Sequence, residues 1–388
     1  MEIRHGKLLL KGLVSYPLVA AAGNNEASVI NVEETFRDIA DSSRSITDLV
    51  LSVVGDALDQ VRRHLDMHVH LPKRVTNFFG GQGVGRAWLE VYEIFATSHL
   101  AIFRSGPIGS QTRVTAFFNM ADPGEAICAT NHLLARSTFD WVASHGPVVA
   151  DDFGIVTRHP DRWLRFPAGC RHSRAGFQTA VSQMKFWFPE GVDLYVSTCG
   201  RLVSASPADS ARSHESLDDQ AKSEFCRMLL GLASLKEGGT FLMYFPEFRT
   251  ASTISIVQQI NELFGQSRLV RPTSVEQGVP GVYLLATDYL GMHETSLNAF
   301  SKHVALWHSR MNIRCPGFAP RSPAFEVLAR AVKTITVTQH KLFADEIMRM
   351  AMRKSRLSGS EFARARVYVE ERYVRGSRIT VLPDQKKL

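Results

Sequence analysis

Residues 117–126 read FFNMADPGEA, and this stretch decides the fold class. An apolar run comes first, an acidic residue and a Pro-Gly pair follow, and a helix-forming sequence comes next. This order of strand, tight turn and helix is typical of the first unit of a Rossmann-type fold, where a ligand binds between the carboxyl end of the strand and the helix. The sequence therefore predicts a ligand-binding turn that consists of Ala121, Asp122, Pro123, Gly124 and Glu125.

Short apolar runs continue to alternate with helical patterns on both sides of this turn. Hydrophobic periodicity predicts strands at 114–120, 140–144, 193–197, 239–245, 268–271 and 281–288. It predicts helices at 86–97, 125–135, 216–235 and 253–264. Such alternation favours a doubly wound α/β sheet in which most strands are parallel.

The flanking segments have a different character. Residues 7–14 favour a short strand, residues 46–65 an amphipathic helix, and residues 325–352 further helices before a short strand at 378–382. Residues 149–188 are rich in Arg, His, Pro and Trp and have weak periodicity, which suggests an insertion on the binding side of the sheet. We therefore expect an N-terminal extension at 1–85, a central domain at 86–290 and a basic, largely helical extension at 291–388.

Bulk composition excludes several classes of protein. No stretch of the 388 residues approaches the roughly 20 apolar residues that a membrane span requires, and no cleavage pattern follows the apolar run near the start. The five cysteines are odd in number and contain no CxxC pair, so reduced thiols without a zinc site are expected. These features predict a cytoplasmic protein without a membrane partner.

Positive charge is concentrated near the end of the sequence. Residues 341–388 carry 12 Lys and Arg against 6 Asp and Glu, out of a net charge of +7 for the chain. Interspersed aromatic residues suit phosphate contact combined with base stacking. A solvated basic helix is an equal alternative. The predicted RNA-binding residues are Arg349, Arg353, Lys354, Arg356, Arg364 and Arg366.

Two other motifs are weaker. Residues 80–85 read GGQGVG before a helix, but their spacing matches neither phosphate-binding glycine pattern, so a flexible turn is favoured. His68 and His70 would share one side of an extended segment, yet no third ligand accompanies them, and no metal site is predicted.

Five later segments give the central domain a family resemblance. They read DLYVSTCG at 193–200, LASLKEGGTFLMYF at 232–245, NELF at 261–264, RLVRPTS at 268–274 and GVYLLA at 281–286. Their order and spacing resemble the FtsJ/RrmJ-like RNA ribose 2'-O-methyltransferases, in particular viral and eukaryotic cap methyltransferases. The resemblance extends from residue 86 to residue 290.

The resemblance implies a Rossmann-like methyltransferase fold: a mostly parallel seven-stranded sheet with a terminal antiparallel strand, here with helical extensions at both ends. It also implies S-adenosylmethionine at the Pro-Gly turn, with Asp140 contributing to the cofactor site. Family members have a second glycine after Pro-Gly where this sequence has Glu125, and that carboxylate argues against cofactor binding.

The family's catalytic Lys-Asp-Lys-Glu tetrad is not matched. The corresponding positions are Glu90, Cys199, Tyr244 and Gly281, or Val282 for the last. A general base typically contributes about 10² to 10⁴ in rate, so its loss predicts an inactive protein unless Cys199 or Tyr244 replaces it.

Two principal hypotheses follow. In the first, a degenerate methyltransferase-like protein binds RNA or a protein partner within a capping, viral or ribonucleoprotein complex, in the cytoplasm or, if viral, in the virion. In the second, an active mRNA cap 2'-O-methyltransferase uses other residues, such as Lys185 or Lys236. A third, purely structural role predicts no salt-sensitive RNA affinity.

Overall fold

The computed structural model describes residues 14–17, 66–98, 113–121, 123–145, 151–164, 174–198, 217–246, 251–275, 281–306 and 359–388, with six single positions besides. The strands in this part of the chain are β1 (Val14–Pro17), β2 (Arg113–Asn119), β3 (Thr138–Ser144), β4 (Trp163–Leu164), β5 (Val192–Ser197), β6 (Leu235–Phe245), β7 (Phe264–Arg271) and β8 (Val282–Tyr289). They form one eight-stranded sheet in the order β1-β7-β8-β6-β5-β2-β3-β4.

The helices of the described residues lie before, between and after these strands. They are α1 (Leu71–Phe79), α2 (Arg86–Ser98), α3 (Glu125–Leu133), α4 (Ile155–Arg158), α5 (Arg174–Trp187), α6 (Leu217–Ser234), α7 (Ala251–Leu263), α8 (Glu294–Leu306) and α9 (Gly359–Gly376). Short 3₁₀ turns occupy Pro160–Arg162 and Asp384–Lys386.

The sheet confirms the predicted fold class. Strands β4, β3, β2, β5 and β6 are parallel to one another, whereas β8 runs antiparallel between β6 and β7. These seven strands have the topology of a Rossmann-like methyltransferase. β1 adds an eighth strand by antiparallel pairing with β7.

Alternation along the strands divides the apolar side chains between two cores. Phe117 belongs to the core on one face, and the adjacent Phe118 belongs to the core on the other face. The first core includes buried residues of α5, α6 and α7, and the second includes those of α1, α2, α3 and α9. Successive residues of a strand point to opposite faces, so a central strand covered on both sides must be apolar throughout.

Two sequence-based expectations differ from the structure. The strand predicted at 378–382 is absent: residues 377–378 form a turn, and residues 379–383 have no regular structure. The backbone N–H of Leu382 bonds to the carbonyl of Phe79, at the end of α1, rather than to a strand. Residues 68–70, predicted to be extended, belong to a turn at 67–70 in which His68 is buried and His70 is exposed.

Several predictions fall partly or wholly outside the described residues. These include the amphipathic helix at 46–65 and the helices at 325–352. The segment at 149–188 contributes strand β4 and helix α5, whose Phe177 and Met184 lie in the first core. Within the described ranges, no helix has the length and apolar character needed to cross a bilayer.

Candidate methyltransferase-like site

The predicted ligand-binding turn lies at the carboxyl end of β2. The chain leaves the strand through Met120 and Gly124, whose φ angles are 55° and 101°. The Ala121 N–H bonds to the Ser144 carbonyl at 3.0 Å, which ties the turn to the end of β3. Of the predicted cofactor residues, Ala121, Pro123, Gly124 and Glu125 share this turn, and Asp122 lies outside the described residues.

The side chain of Glu125 occupies the N-terminus of α2. Its Oε2 accepts a hydrogen bond from the backbone N–H of Trp88 at 3.1 Å. A Cβ on Gly85 would lie 2.1 Å from Glu125 Oε1, so a larger residue at position 85 would displace this carboxylate. The backbone N–H groups of the first turn of a helix have no acceptor within the helix. A carboxylate that accepts a hydrogen bond from the N–H of the third residue supplies one and interacts favourably with the helix dipole. The protein's own carboxylate therefore occupies a helix N-terminus, a position that favours anions.

Glu125→Gly is expected to lower the free energy of unfolding by about 1–2 kcal/mol, because α2 loses its cap and α3 gains a glycine at its first residue. Glu125→Gln, which retains an acceptor of nearly the same size, should lose less. Urea unfolding followed by circular dichroism measures both changes. Equal stability of Glu125→Gly and wild type would contradict the capping role.

The segment around α4 packs against the glycine of the turn. A Cβ on Gly124 would lie 3.1 Å from Cβ of Ile155, and Ile155 is fully buried. Gly83 is equally close to Cys128, with 2.9 Å between a built Cβ and Sγ. The glycines of the turn and of the 80–85 loop are thus accounted for by close packing within the chain.

Asp140 is not brought to the turn. It lies in the first half of β3, whereas the turn faces the carboxyl end, where Ser144 lies. Its carboxylate pairs with Arg113 at 2.7 Å and with Arg162 at 2.5 Å. Burial opposes its ionisation, but the hydrogen bonds from Arg162 and Arg113 outweigh this effect and hold the pKa of Asp140 below its ordinary value.

Polar side chains at the carboxyl ends of β2, β3 and β5 bond to one another. Ser144 Oγ donates to Asn119 Oδ1 at 2.7 Å, and Asn119 Nδ2 donates to Tyr195 Oη at 2.8 Å. The buried Arg227 of α6 donates to Ser197 Oγ at 2.8 Å and, through Nη2, to the Tyr244 carbonyl at 2.6 Å. Buried polar groups require such partners, so this network stabilises the strand ends.

Three of the four tetrad-equivalent positions lie together. Tyr283 Oη donates to Glu90 Oε2 at 2.7 Å, and the rings of Tyr283 and Tyr244 are 5.1 Å apart. A Cβ on Gly281 would lie 1.8 Å from Tyr244 Oη, so the tyrosine occupies the space of the missing side chain. Glu90, Tyr244 and Tyr283 are each at most 1% exposed. The fourth position, Cys199, lies outside the described residues.

Glu93, one turn further along α2, was not singled out from the sequence. Its carboxylate accepts four hydrogen bonds, from the backbone N–H and hydroxyl of both Thr273 and Ser274, at 2.7–3.1 Å. Burial raises the pKa of Glu93, and these four bonds oppose the rise. The Arg-Pro-Thr-Ser segment therefore serves here to anchor the β7–β8 connection to α2.

The two alternative lysines lie away from the turn. Lys236, at the start of β6, pairs with Asp193, at the start of β5, with 2.5 Å between Nζ and Oδ1. These are the amino ends of parallel strands, opposite the turn. Lys185 is exposed near the end of α5, which precedes the amino end of β5.

A buried histidine lies beside the start of α2. Burial, reinforced by the Arg86 charge and opposed by Asp66, lowers the pKa of His68 from 6.5 to about 4. The imidazole packs edge-on against Tyr373, with 5.9 Å between ring centroids.

This shift predicts a loss of stability in mild acid. Below pH 6.5 the unfolded chain binds a proton at His68 that the folded chain does not bind until about pH 4, so stability falls as pH falls through this window. Between about pH 6.5 and pH 5 the loss attributable to His68 should reach about 1.5 kcal/mol. Denaturation of wild type and His68→Phe across this range measures it. Parallel pH profiles would contradict the prediction.

Of the predicted RNA-binding residues, two lie in the described part of the tail. Arg364 and Arg366 both belong to α9, where Arg364 is exposed and Arg366 is partly buried. Arg349, Arg353, Lys354 and Arg356 lie outside the described residues. The opposite side of α9 packs onto the domain through Val369 and Tyr373.

Comparison with known proteins places this geometry in context. No family model matches the chain. A probable methyltransferase of African swine fever virus, EP424R, is 26% identical over 252 residues, which cover 60% of this chain and 56% of the relative. The chain is methyltransferase-like. It spans about half the length of the curated relatives that it matches.

Two further likenesses are more distant. The uncharacterized protein L511 of Acanthamoeba polyphaga mimivirus is 20% identical to this methyltransferase-like chain over 283 residues, covering 68% of the chain and 34% of the relative. The crystal structure of human methyltransferase-like protein 13 in complex with SAH covers 60% of the chain at 11% identity, with a TM-score of 0.27.

Proposed function

We propose that this methyltransferase-like chain is a degenerate FtsJ/RrmJ-type protein that no longer transfers methyl groups and serves as an RNA-binding or partner-binding subunit of a capping or ribonucleoprotein assembly. The observation that carries the proposal is the packing at Glu90, Tyr244 and Gly281. Where the family resemblance expects lysines and a glutamate around a reactive ribose, the chain has a buried, hydrogen-bonded cluster of a glutamate and two tyrosines.

The residues at the Pro-Gly turn also fit S-adenosylmethionine poorly. Ile155 lies against Gly124, Glu125 is committed to the N-terminus of α2, and Asp140 is paired with two arginines away from the turn. None of these groups is left in the role that the resemblance assigns to it. We therefore expect no cofactor-dependent step at this site.

An active RNA 2'-O-methyltransferase is the second candidate, and the similarity to a probable viral methyltransferase favours it. For this reading, a base must come from Cys199, which lies outside the described residues, or from outside the tetrad positions. Lys185 and Lys236 lie at the amino-end side of the sheet, which argues against both.

Methyl incorporation and cofactor binding distinguish the two candidates. Purified chain is incubated with labelled S-adenosylmethionine and short capped RNA, and equilibrium dialysis of the same label measures cofactor affinity. We expect that wild type neither incorporates methyl groups into RNA nor retains the labelled cofactor. We expect the same of Tyr244→Lys, because a lysine at the buried position 244 would not reach a substrate. Incorporation by wild type would overturn the proposal and establish the enzyme.

RNA binding is the second part of the proposal. RNA filter binding at increasing salt is expected to show an affinity that falls steeply, since neutralised phosphates release counterions. An absence of RNA binding at low salt would leave only the partner-binding form. We place the protein in the cytoplasm, or in the virion if its source is viral.

A further inference from the structure

A groove runs between α1 and the middle of α9, on the face of the domain formed by these helices. It has a volume of about 600 Å³. This is within the range of roughly 300–1,000 Å³ that is typical of ligand pockets. Its lining residues are His70, Lys73, Arg74, Asn77, Phe78, Phe79 and Glu370.

The groove carries mostly positive and polar groups. Lys73 is exposed, Arg74 lies beside it, and Glu370 supplies the one carboxylate among the lining residues that the structure describes. That carboxylate faces Arg74 at 3.9 Å. Burial raises the pKa of Glu370, and the nearby charges of His70 and Arg74 oppose this rise. The lining is therefore suited to a phosphate-bearing ligand.

An aromatic ring projects from the same helix. Phe78 is 72% exposed, although the opposite side of α1 is fully buried through Leu71 and Val75. The helix ends at Gly80, whose left-handed conformation (φ 65°) closes it with a bond to the Val75 carbonyl. The exposed ring is thus held on a well-anchored helix, next to a side-chain amide at Asn77.

We propose that this groove is a binding site for single-stranded RNA, in which Lys73 and Arg74 contact phosphates and Phe78 stacks on a base. The inference rests on the RNA-binding part of the proposed function and assigns it a location. Single-strand binding combines a positively charged groove with aromatic stacking, and the groove supplies both. The RNA-binding residues predicted from the sequence all lie in the basic segment at 341–388. In the groove, α1 supplies the residues that would contact RNA, and α1 lies in the predicted N-terminal extension.

A lipid surface suits the groove less well. Membrane-binding helices present a broad apolar face to the bilayer. On α1 the exposed phenylalanine is surrounded by Lys73, Thr76 and Asn77, which are all exposed. A concave lining with an amide and a carboxylate is better matched to a nucleotide than to acyl chains.

Fluorescence anisotropy of a labelled uridine homopolymer tests the site with the full chain. Phe78→Ala is expected to weaken binding about 5- to 100-fold, the effect of losing one stacked base. Lys73→Glu is expected to weaken binding and to lower the dependence of log affinity on log salt by about 1 or more. The matched controls are Phe186→Ala and Lys185→Glu, which change an exposed aromatic and an exposed lysine on α5.

The results of these binding measurements test the groove site separately from the proposed function. Loss of affinity in the groove variants, with controls like wild type and circular dichroism unchanged, supports the site. If both groove variants bind RNA as tightly as wild type, or if the α5 controls lose as much affinity as the groove variants, the site is overturned. The protein then remains an RNA-binding protein. Wild type that binds no RNA at low salt overturns both the site and the RNA-binding part of the proposed function, and leaves only its partner-binding form. Binding to anionic lipid vesicles is measured for the same variants. If Phe78→Ala loses vesicle binding but keeps its RNA affinity, the site is also overturned.

Discussion

Replacing Glu93 by leucine is expected to lower the free energy of unfolding by about 3–5 kcal/mol, the largest loss predicted for a single side chain here. The carboxylate accepts four hydrogen bonds from Thr273 and Ser274. Leucine leaves these buried donors without an acceptor, and each backbone N–H that loses its partner costs about 1–3 kcal/mol. The connection from β7 to β8 should then separate from α2.

Chemical denaturation measures the loss, and two further variants make it specific. Glu93→Gln, whose carbonyl oxygen can still accept some of the four bonds, should lie between wild type and Glu93→Leu. Glu262→Leu makes the same change at an exposed position of α7 and should shift stability by no more than about 0.5 kcal/mol. Equal effects at positions 93 and 262 would refute the anchoring role.

Gly281→Ala is expected to cost about 3 kcal/mol, at the upper end of the range for overpacking a core. The added Cβ would lie 1.8 Å from Tyr244 Oη and 2.3 Å from Cζ. Tyr244 is 1% exposed and packs against Tyr283, so its ring has little room to move. The family resemblance places a glutamate near this position, and the same contact explains why this chain does not accommodate one.

A double-mutant cycle identifies the contact. In a Tyr244→Leu background the shorter side chain frees the space, and Gly281→Ala should cost at least about 1 kcal/mol less than in wild type. Gly376→Ala is the control, because a Cβ there meets no atom within 4 Å. Additive effects of the substitutions at 244 and 281 would show that the tyrosine does not fill the glycine site.

The elements of the central domain could be predicted because their signals are local. Predicted and observed bounds of β2, β5 and α6 differ by one residue, since apolar runs, turn residues and helical periodicity reside in neighbouring residues. β6 and β7 are exceptions, because each begins four residues before its predicted start. β6 begins at Leu235 rather than at Gly239, because its pairing with β5 continues across an irregular register before Thr240.

The candidate site was only partly predictable, because side-chain partners far apart in sequence decide it. The sequence placed Glu125 at the turn, but its contact with Trp88, from another helix, determines what the carboxylate does. Asp140 was assigned to the cofactor, whereas Arg113 and Arg162 hold it near the amino end of β3. Glu93 carried no motif, and only its contacts across the fold reveal its role.

By itself, the sequence determined the α/β class, the order of strands and helices, the turn after β2 and the absence of the family's catalytic residues from their aligned positions. The tertiary structure decided that β8 lies antiparallel between β6 and β7. It also decided that Glu90, Tyr244 and Gly281 share one buried cluster and that α1 and α9 form a groove. The reason is physical: backbone preferences and periodicity act over a few residues, whereas burial, hydrogen bonding and steric fit depend on segments that only folding brings together.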